Sequence, residues 1–121
     1  MDISALVLDV FSFLHQLKLY HWTTKSYARH VASDELHKSL SSLSDLLIET
    51  AIATYERPTF VNAAALPLVQ NDDPAELQSL VQFKQYLVSG IQFADSDVDL
   101  MNTRDEMVSA IDQALYKFTL C

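Results

Sequence analysis

Five side chains of metal-binding type lie in the first half of the chain: His21, His30, Asp34, Asp45 and Glu49. Imidazole nitrogens combined with carboxylate oxygens suit iron, manganese or zinc. His30 and Asp34 are four residues apart, so a helix that carries them places both on one face. Asp45 and Glu49 have the same spacing. However, His30 and Asp45 are separated by 15 residues, which is roughly 22 Å along an α-helix. Because protein ligands lie within ~2–2.5 Å of their ion, one helix cannot unite the two pairs.

Two copies of that helix can unite them. An antiparallel pairing about a two-fold axis near residues 39 and 40 places His30 beside Glu49 of the partner subunit. The same operation places Asp34 beside Asp45 of the partner subunit. A short turn before this helix folds His21 back toward His30 and Asp34. The sequence therefore predicts a homodimer with two symmetric metal sites at its interface, and it assigns neither a catalytic side chain nor a cofactor-binding residue.

The scarcity of chain breakers predicts an all-α protein, because the sequence has one glycine and three prolines. We expect a single domain over residues 1–121, built as a bundle of four helices. The predicted helices run from Ile3 to Lys25, from Tyr27 or Ala28 to Tyr55, from Pro74 to Val88 or Gln92 with an interruption at Gly90, and from Asp95 or Ser96 to about Phe118.

The first predicted helix is apolar around most of its circumference. One stripe starts at Ile3 and continues to His21, and a second stripe carries Leu8, Phe11, His15, Leu19 and Trp22. A helix of this kind is buried from more than one side. In so small a domain, we expect one of those sides to face another subunit.

A linker from Arg57 to Asp73 separates the second and third helices. Fully extended, it spans ~55 Å at ~3.3 Å per residue, whereas the second helix is only ~40 Å long. It can therefore cross the whole bundle and make helices two and three parallel, as in ferritin-like bundles. A simple hairpin connection stays open as the alternative. Asp73 followed by Pro74 predicts the start of the third helix, with Asp73 as its N-cap.

Composition limits the partners and the location. The net charge of −8 disfavours binding to nucleic acid, which needs clustered basic side chains. The sequence contains no apolar run of 18 residues, so it predicts no membrane span. Its N-terminal segment is not basic, so it predicts no signal peptide. The single cysteine, Cys121, excludes an internal disulfide. We expect a cytoplasmic protein, of a microbe or of a virus-infected host cell.

Each candidate ligand also has a purely structural interpretation. His21 lies on an apolar stripe and could be a hydrogen-bonded core histidine. His30 could be a surface residue at the start of its helix. Asp34 could stabilise the first turn of that helix through the helix dipole. Asp45 and Glu49 could belong to a solvated face. What favours a metal site is that one two-fold operation brings all five together.

Four neighbouring side chains leave alternatives open. His37 shares the ligand face near the proposed axis, where it is a subunit contact, a transient ion site or simply exposed. His15 is expected to pack within the first helix. Trp22 and Tyr27 adjoin the site and either pack there or quench radical by-products of iron oxidation. Because no pair of Glu-x-x-His motifs occurs, a di-iron centre within one subunit is not expected.

Residues 8–56 resemble the Dps family, the small ferritins of starved bacterial cells. The resemblance rests on His21-Trp22, on His30-x-x-x-Asp34 and on Asp45-x-x-x-Glu49. It implies that His21, His30, Asp34, Asp45 and Glu49 form a ferroxidase site at a two-fold interface. The interval from His21 to His30 is shorter than is usual in that family, and so is the whole chain. The resemblance therefore leaves open whether the dimer assembles further into a cage. The segment from His21 to His30 also looks like short uncharacterised ferritin-like proteins of viral and phage genomes.

Two hypotheses of different classes follow. The first is a Dps-like ferroxidase that oxidises ferrous iron with peroxide or oxygen, with manganese or zinc as other candidate metals. The second is a non-catalytic ferritin-like interaction or structural protein, which could be viral. The two differ in whether the interface holds metal.

Overall fold

The computed structural model of the chain describes residues 1–61 and 65–120, and this part of the chain is all-helical, with no β-strand. Its elements are α1 (Ile3–Thr23), α2 (Tyr27–Thr54), α3 (Asp73–Gln85), a π-helical turn that we call the π segment (Tyr86–Gly90), and α4 (Val98–Lys117). The predicted all-α class and its four helices are confirmed. Cys121 and residues 62–64 of the predicted linker lie outside the described residues.

The start of α3 differs from the prediction by one residue. Asp72, and not Asp73, is the N-cap, because its backbone is extended and its carboxylate accepts a hydrogen bond from the amide of Ala75 (2.9 Å). Pro74 therefore lies within the first turn, where a missing N–H is tolerated. The Asp73 carboxylate instead accepts a hydrogen bond from the Tyr20 hydroxyl (2.7 Å). That partner lies 53 residues earlier, which is why local pattern could not distinguish two adjacent aspartates.

Two helices end earlier than predicted. α1 ends at Thr23 rather than Lys25, because the backbone becomes extended at the next residue. α3 ends at Gln85, and the chain continues as the π segment to the predicted interruption at Gly90. A side chain at Gly90 would clash, since an ideal Cβ there lies 2.8 Å from Cδ1 of the Tyr86 ring.

The fourth helix begins at Val98, later than the predicted start at Asp95 or Ser96. Asp97 is buried, and its carboxylate accepts a hydrogen bond from a backbone amide three residues earlier (2.9 Å). The same carboxylate accepts a hydrogen bond from the hydroxyl of Tyr55, the C-cap of α2. Asp97 thus closes the preceding turn, and the helix starts after it.

The core forms around α2, which packs against both α1 and α4. A leucine stripe along it is buried at Leu36, Leu40 and Leu47. Burying each of these side chains contributes roughly 1.5–3 kcal/mol. The other helices complete the core with Leu17, Tyr20, Leu80, Leu100, Met107 and Ile111.

The first helix buries only one of its two predicted apolar stripes. The stripe that starts at Ile3 is buried through to His21, whereas Phe11 and Trp22 in the second stripe are 47% and 68% exposed. Leu8 and Leu19 of that stripe are half-buried, so the described chain covers this side of α1 only in part. By length and composition, α1 is the one described helix that could cross a membrane, which departs from the sequence-based expectation. Core helices of soluble proteins and signal sequences share this length and composition, and 44% of the apolar stretch of α1 is buried inside this bundle.

The described parts of the linker are fastened to α1 by side-chain hydrogen bonds. Near the start of α1, the Ser4 hydroxyl donates to the carbonyl of Thr59 (3.3 Å) and accepts from its amide (3.0 Å). Three turns further along, the Gln16 amide oxygen accepts from the Val69 amide (2.9 Å) and its NH₂ group donates to the Val69 carbonyl. These bonds satisfy backbone groups that have no partner in a helix or sheet.

Glu76, in the first turn of α3, is a carboxyl group with no exposed surface. Its Oε2 accepts a hydrogen bond from the Asn71 side chain (2.9 Å), whereas Oε1 has no partner among the described residues. Burial disfavours the charged form and raises the pKa of Glu76 to about 7, and the Asn71 hydrogen bond offsets only part of this effect.

We predict that Glu76 makes the fold less stable as the pH rises. The unfolded carboxyl ionises near its ordinary pKa of 4.5 and the folded one near 7, so the penalty is absent below the first value and complete above the second. Glu76→Gln should match the wild type at about pH 4 and exceed its free energy of unfolding by up to roughly 3 kcal/mol at about pH 8. Urea denaturation at both pH values measures this difference. Glu106→Gln, at an exposed position of α4, is the control, and an equal effect of the two substitutions at pH 8 would contradict the assignment.

Candidate functional site

The candidate site lies at the turn between α1 and α2, and a network centred on Asp73 holds that turn. The Asp73 carboxylate accepts hydrogen bonds from the Tyr20 hydroxyl (2.7 Å) and from the Thr24 hydroxyl (3.2 Å). The Arg29 guanidinium donates to the Asp73 carbonyl (2.9 Å). Tyr20 precedes His21, and Arg29 precedes His30. The start of α3 is therefore tied to both helices beside the two candidate histidine ligands.

His21 and His30 face each other across the turn in a reciprocal arrangement. The Nδ1 of His21 lies 2.7 Å from the His30 carbonyl oxygen, and the Nδ1 of His30 lies 2.8 Å from the His21 carbonyl oxygen. A carbonyl only accepts, so each Nδ1 carries the proton and each Nε2 of the neutral ring keeps its lone pair. Metal-bound histidines are usually oriented by a hydrogen bond of this kind. The same bond also satisfies one nitrogen of a buried His21, as the core-histidine interpretation requires.

The two imidazole rings are stacked, with centroids 3.9 Å apart and planes 15° from parallel. Because the Nε2 lone pair lies in the plane of its ring, two stacked rings cannot both direct lone pairs at one ion ~2.0–2.1 Å away. Each ring can instead serve its own ion. Pairs of ions in two-metal sites lie ~3.5–4 Å apart, which is similar to the ring separation. In this conformation the two histidines fit a two-metal site better than a single ion.

Asp34 lies beside the histidines but is already paired with two cations. Its carboxylate oxygens lie 3.2 Å from the Nζ of Lys18 and 3.2 Å from the Nζ of Lys38, while the His21 Nε2 is 4.0 Å away. Hydrogen bonds from Lys38 and then from Lys18 hold the pKa of Asp34 below its ordinary value. Asp34 is therefore ionised at neutral pH, and a metal ion must compete with these ammonium groups for it.

Asp45 and Glu49 are exposed on α2 and lie far from the other three candidates. Asp34 and Asp45 are 11 residues apart, which is roughly 16 Å along the helix. Within one chain His21 stacks on His30 and its Nε2 lies 4.0 Å from Asp34, whereas Asp45 and Glu49 are distant. Over the described ranges of a single chain, no group of three or more histidine, cysteine or acidic side chains is close enough to hold an ion.

Sequence reasoning missed the two lysines and the Asp73 network. Lys38 lies four residues after Asp34, and this spacing predicts an ion pair on a helix. The sequence alone could therefore have predicted this contact. Lys18 approaches Asp34 only because the hairpin aligns α1 with α2. Tyr20 and Asp73 meet across the linker, and no local pattern signals that contact.

Helical spacing places Phe11, His15 and Trp22 on one stripe of α1. Asp45 and Glu49 lie within about a quarter-turn of Asp34 on α2, and the Lys18–Asp34 ion pair shows that this part of α2 adjoins α1. We call the surface formed by Phe11, His15, Trp22, Asp45 and Glu49 the outer face of the hairpin. It combines exposed apolar and acidic side chains.

The fold and the site define a helical-bundle protein with a histidine–carboxylate cluster at one hairpin. The chain belongs to a family of unknown function, DUF5856, whose profile matches residues 21–118. The match begins at His21 and takes in α2, α3 and α4, so all five candidate ligands lie within it. Comparisons with curated proteins and with solved structures give no match.

We predict that Tyr20→Phe destabilises the protein by about 1–3 kcal/mol, because the hydrogen bond from the buried Tyr20 to the Asp73 carboxylate is lost. Tyr116→Phe is the matched control, since that ring is 65% exposed, and it should change stability by less than about 0.5 kcal/mol. Urea denaturation monitored by circular dichroism gives both values. Two equal effects would show that the Tyr20–Asp73 bond does not stabilise the turn.

Proposed function

We propose that this chain is a Dps-like protein that binds ferrous iron and oxidises it with peroxide or oxygen at a site shared between two subunits. The observation that carries the proposal is the paired orientation of His21 and His30, whose Nδ1 atoms are held by backbone carbonyls. Both Nε2 atoms therefore keep a lone pair for metal, beside the ionised carboxylate of Asp34.

A ferritin-like bundle with a long crossover between α2 and α3 is part of this proposal. Hydrogen bonds from the linker and from the start of α3 reach Ser4, Gln16 and Tyr20 in turn along α1. They support a chain that returns from the end of α2 to the end of the bundle where α2 began. α3 would then run parallel to α2, as the crossover topology requires.

The second subunit supplies the rest of the proposed site. Antiparallel pairing of two α2 helices near residues 39 and 40 brings Asp45 and Glu49 of the partner subunit to His30 and Asp34. A two-fold contact occurs twice, so the homodimer holds two equivalent sites. The exposed Phe11 and Trp22 supply apolar area for the same contact. Further assembly into a cage remains part of the Dps resemblance.

Iron is the substrate of the proposed reaction. Two ferrous ions each give one electron to hydrogen peroxide, whose O–O bond breaks, and two protons complete two water molecules. With oxygen as the oxidant, the same two electrons and two protons give peroxide. The carboxylates of Asp34, and of Asp45 and Glu49 from the partner, offset the positive charge that grows on oxidation. Manganese or zinc would occupy the same donors without this chemistry.

A specific observation favours the second candidate, a non-catalytic ferritin-like protein that binds a partner or forms a structure, viral or otherwise. Lys18 and Lys38 both pair with Asp34, and this arrangement is complete without a metal ion. The exposed aromatic side chains of α1 would then serve a protein contact alone. For either candidate we propose a cytoplasmic location, in a microbe or a virus-infected cell, and no nucleic-acid partner, in keeping with the net charge of −8.

We predict that anaerobic addition of ferrous ion followed by peroxide produces a ferric absorbance change, and that the double variant Asp45→Ala/Glu49→Ala loses it. Removing even the outer-shell partners of a metal ligand costs about 10–100-fold in affinity or activity, so the initial rate should fall at least about tenfold. Stopped-flow absorbance records the rate.

The control for this experiment is Asp95→Ala/Glu106→Ala, which removes two exposed carboxylates outside α2 and should leave the rate unchanged. No ferric signal from the wild type, or one that is equal in both double variants, would exclude the ferroxidase and leave the non-catalytic candidate.

A further inference from the structure

All four histidines of the chain lie on the α1–α2 hairpin, two on each helix. The contacts between His21 and His30 and between Lys18 and Asp34 fix how the two helices align. Three residues further from the hairpin turn than Lys18 and Asp34, the same antiparallel alignment places His15 and His37 at the same level of the two helices. The proposed ferroxidase site uses neither of these two histidines.

His15 has a defined orientation and tautomer. Its Nδ1 lies 2.7 Å from the carbonyl oxygen of Phe11, so this nitrogen carries the proton and Nε2 keeps its lone pair. The His15 ring also meets the Phe11 ring edge to face, with centroids 5.9 Å apart and planes at 88°. The side chain is exposed, so Nε2 is accessible to a metal ion from solvent.

His37 is half-buried and surrounded by charged and titratable groups from both helices. Burial lowers the pKa of His37 most, and the nearby Lys18, His15 and His21 lower it further, while the negative charge of Asp34 raises it. The ring is therefore neutral at pH 7, which is the form that binds metal. The influence of His15 on His37 also agrees with the alignment of the two helices.

We propose that His15 and His37 form a second metal site, for a divalent ion of the zinc, copper or nickel class, with water in the remaining positions. Two imidazoles without a carboxylate favour these ions over magnesium, calcium and manganese. The site needs one chain only, so it does not depend on the ferroxidase or on the dimer. If the proposed dimer forms, His37 lies close to its axis, and the two copies of the site become neighbours.

The test follows the imidazole nitrogens of the full-length chain by long-range ¹⁵N NMR during titration with zinc chloride. In the wild type, the Nε2 signal of His15 and the signal of the unprotonated ring nitrogen of His37 should both move away from the position of an unprotonated nitrogen. The Nδ1 signal of His15 should stay that of a protonated nitrogen. If neither of the first two signals moves up to millimolar zinc, the proposal is wrong.

Variants show whether the two histidines act together. His37→Gln should weaken the zinc response of His15 about tenfold or more, and His15→Gln should do the same to His37. The amide spectrum reports whether each variant is folded, and His15→Gln changes an exposed position. Glu35→Gln, at an exposed position of the same helix as His37, is the matched control, which should leave the His15 and His37 responses in place. A His15 response that is unchanged in folded His37→Gln, or one that Glu35→Gln removes, would overturn the two-histidine site. Neither outcome bears on iron oxidation, which the Asp45 and Glu49 variant tests separately.

Discussion

The register of the α1–α2 hairpin is the constraint on which the rest of the site depends. Two backbone carbonyls at the turn each accept a hydrogen bond from a histidine on the opposite helix, His21 or His30. Asp73 joins the same turn to the start of α3 through Tyr20 and Arg29. A shift of one residue between the helices would break these contacts and separate Lys18 from Asp34. The orientation of the candidate ligands thus follows from structural hydrogen bonds and does not need a bound ion.

Electrostatics decides what this hairpin can bind. Asp34 is ionised but is already paired with Lys18 and Lys38. At this site a single chain therefore offers an incoming cation little unbalanced negative charge. Asp45 and Glu49 form no ion pair with any described residue, and they lie too far along the helix to help within one chain. In a two-fold pair the lysines of one subunit would also face the carboxylates of the other. Such ion pairs would support the dimer, and metal would have to displace them.

The sequence predicted the helices well because few residues interrupt them and because the apolar spacing of α2 is regular. Spacing and a short turn also sufficed to predict that His21 lies near His30 and Asp34, and the structure places its ring on that of His30 and its Nε2 4.0 Å from Asp34. It could not choose Asp72 over Asp73 as the cap of α3, because the choice depends on Tyr20 across the linker. The π segment likewise depends on packing beyond its own residues. The role proposed for Asp45 and Glu49 depends on a second chain, so neither the sequence nor one subunit determines it.

The central claim is that the outer face of the hairpin pairs with itself and that metal joins the two halves. Sedimentation equilibrium at tens of micromolar protein, with and without manganous ion, tests it most directly, because manganese can occupy the proposed donors without oxidation by peroxide. We predict a dimer or larger oligomer that metal strengthens, since the ion binds the assembled state and not the separate chains. Asp45→Ala/Glu49→Ala should remove the effect of metal. A monomer that manganese leaves unchanged would contradict the intersubunit site.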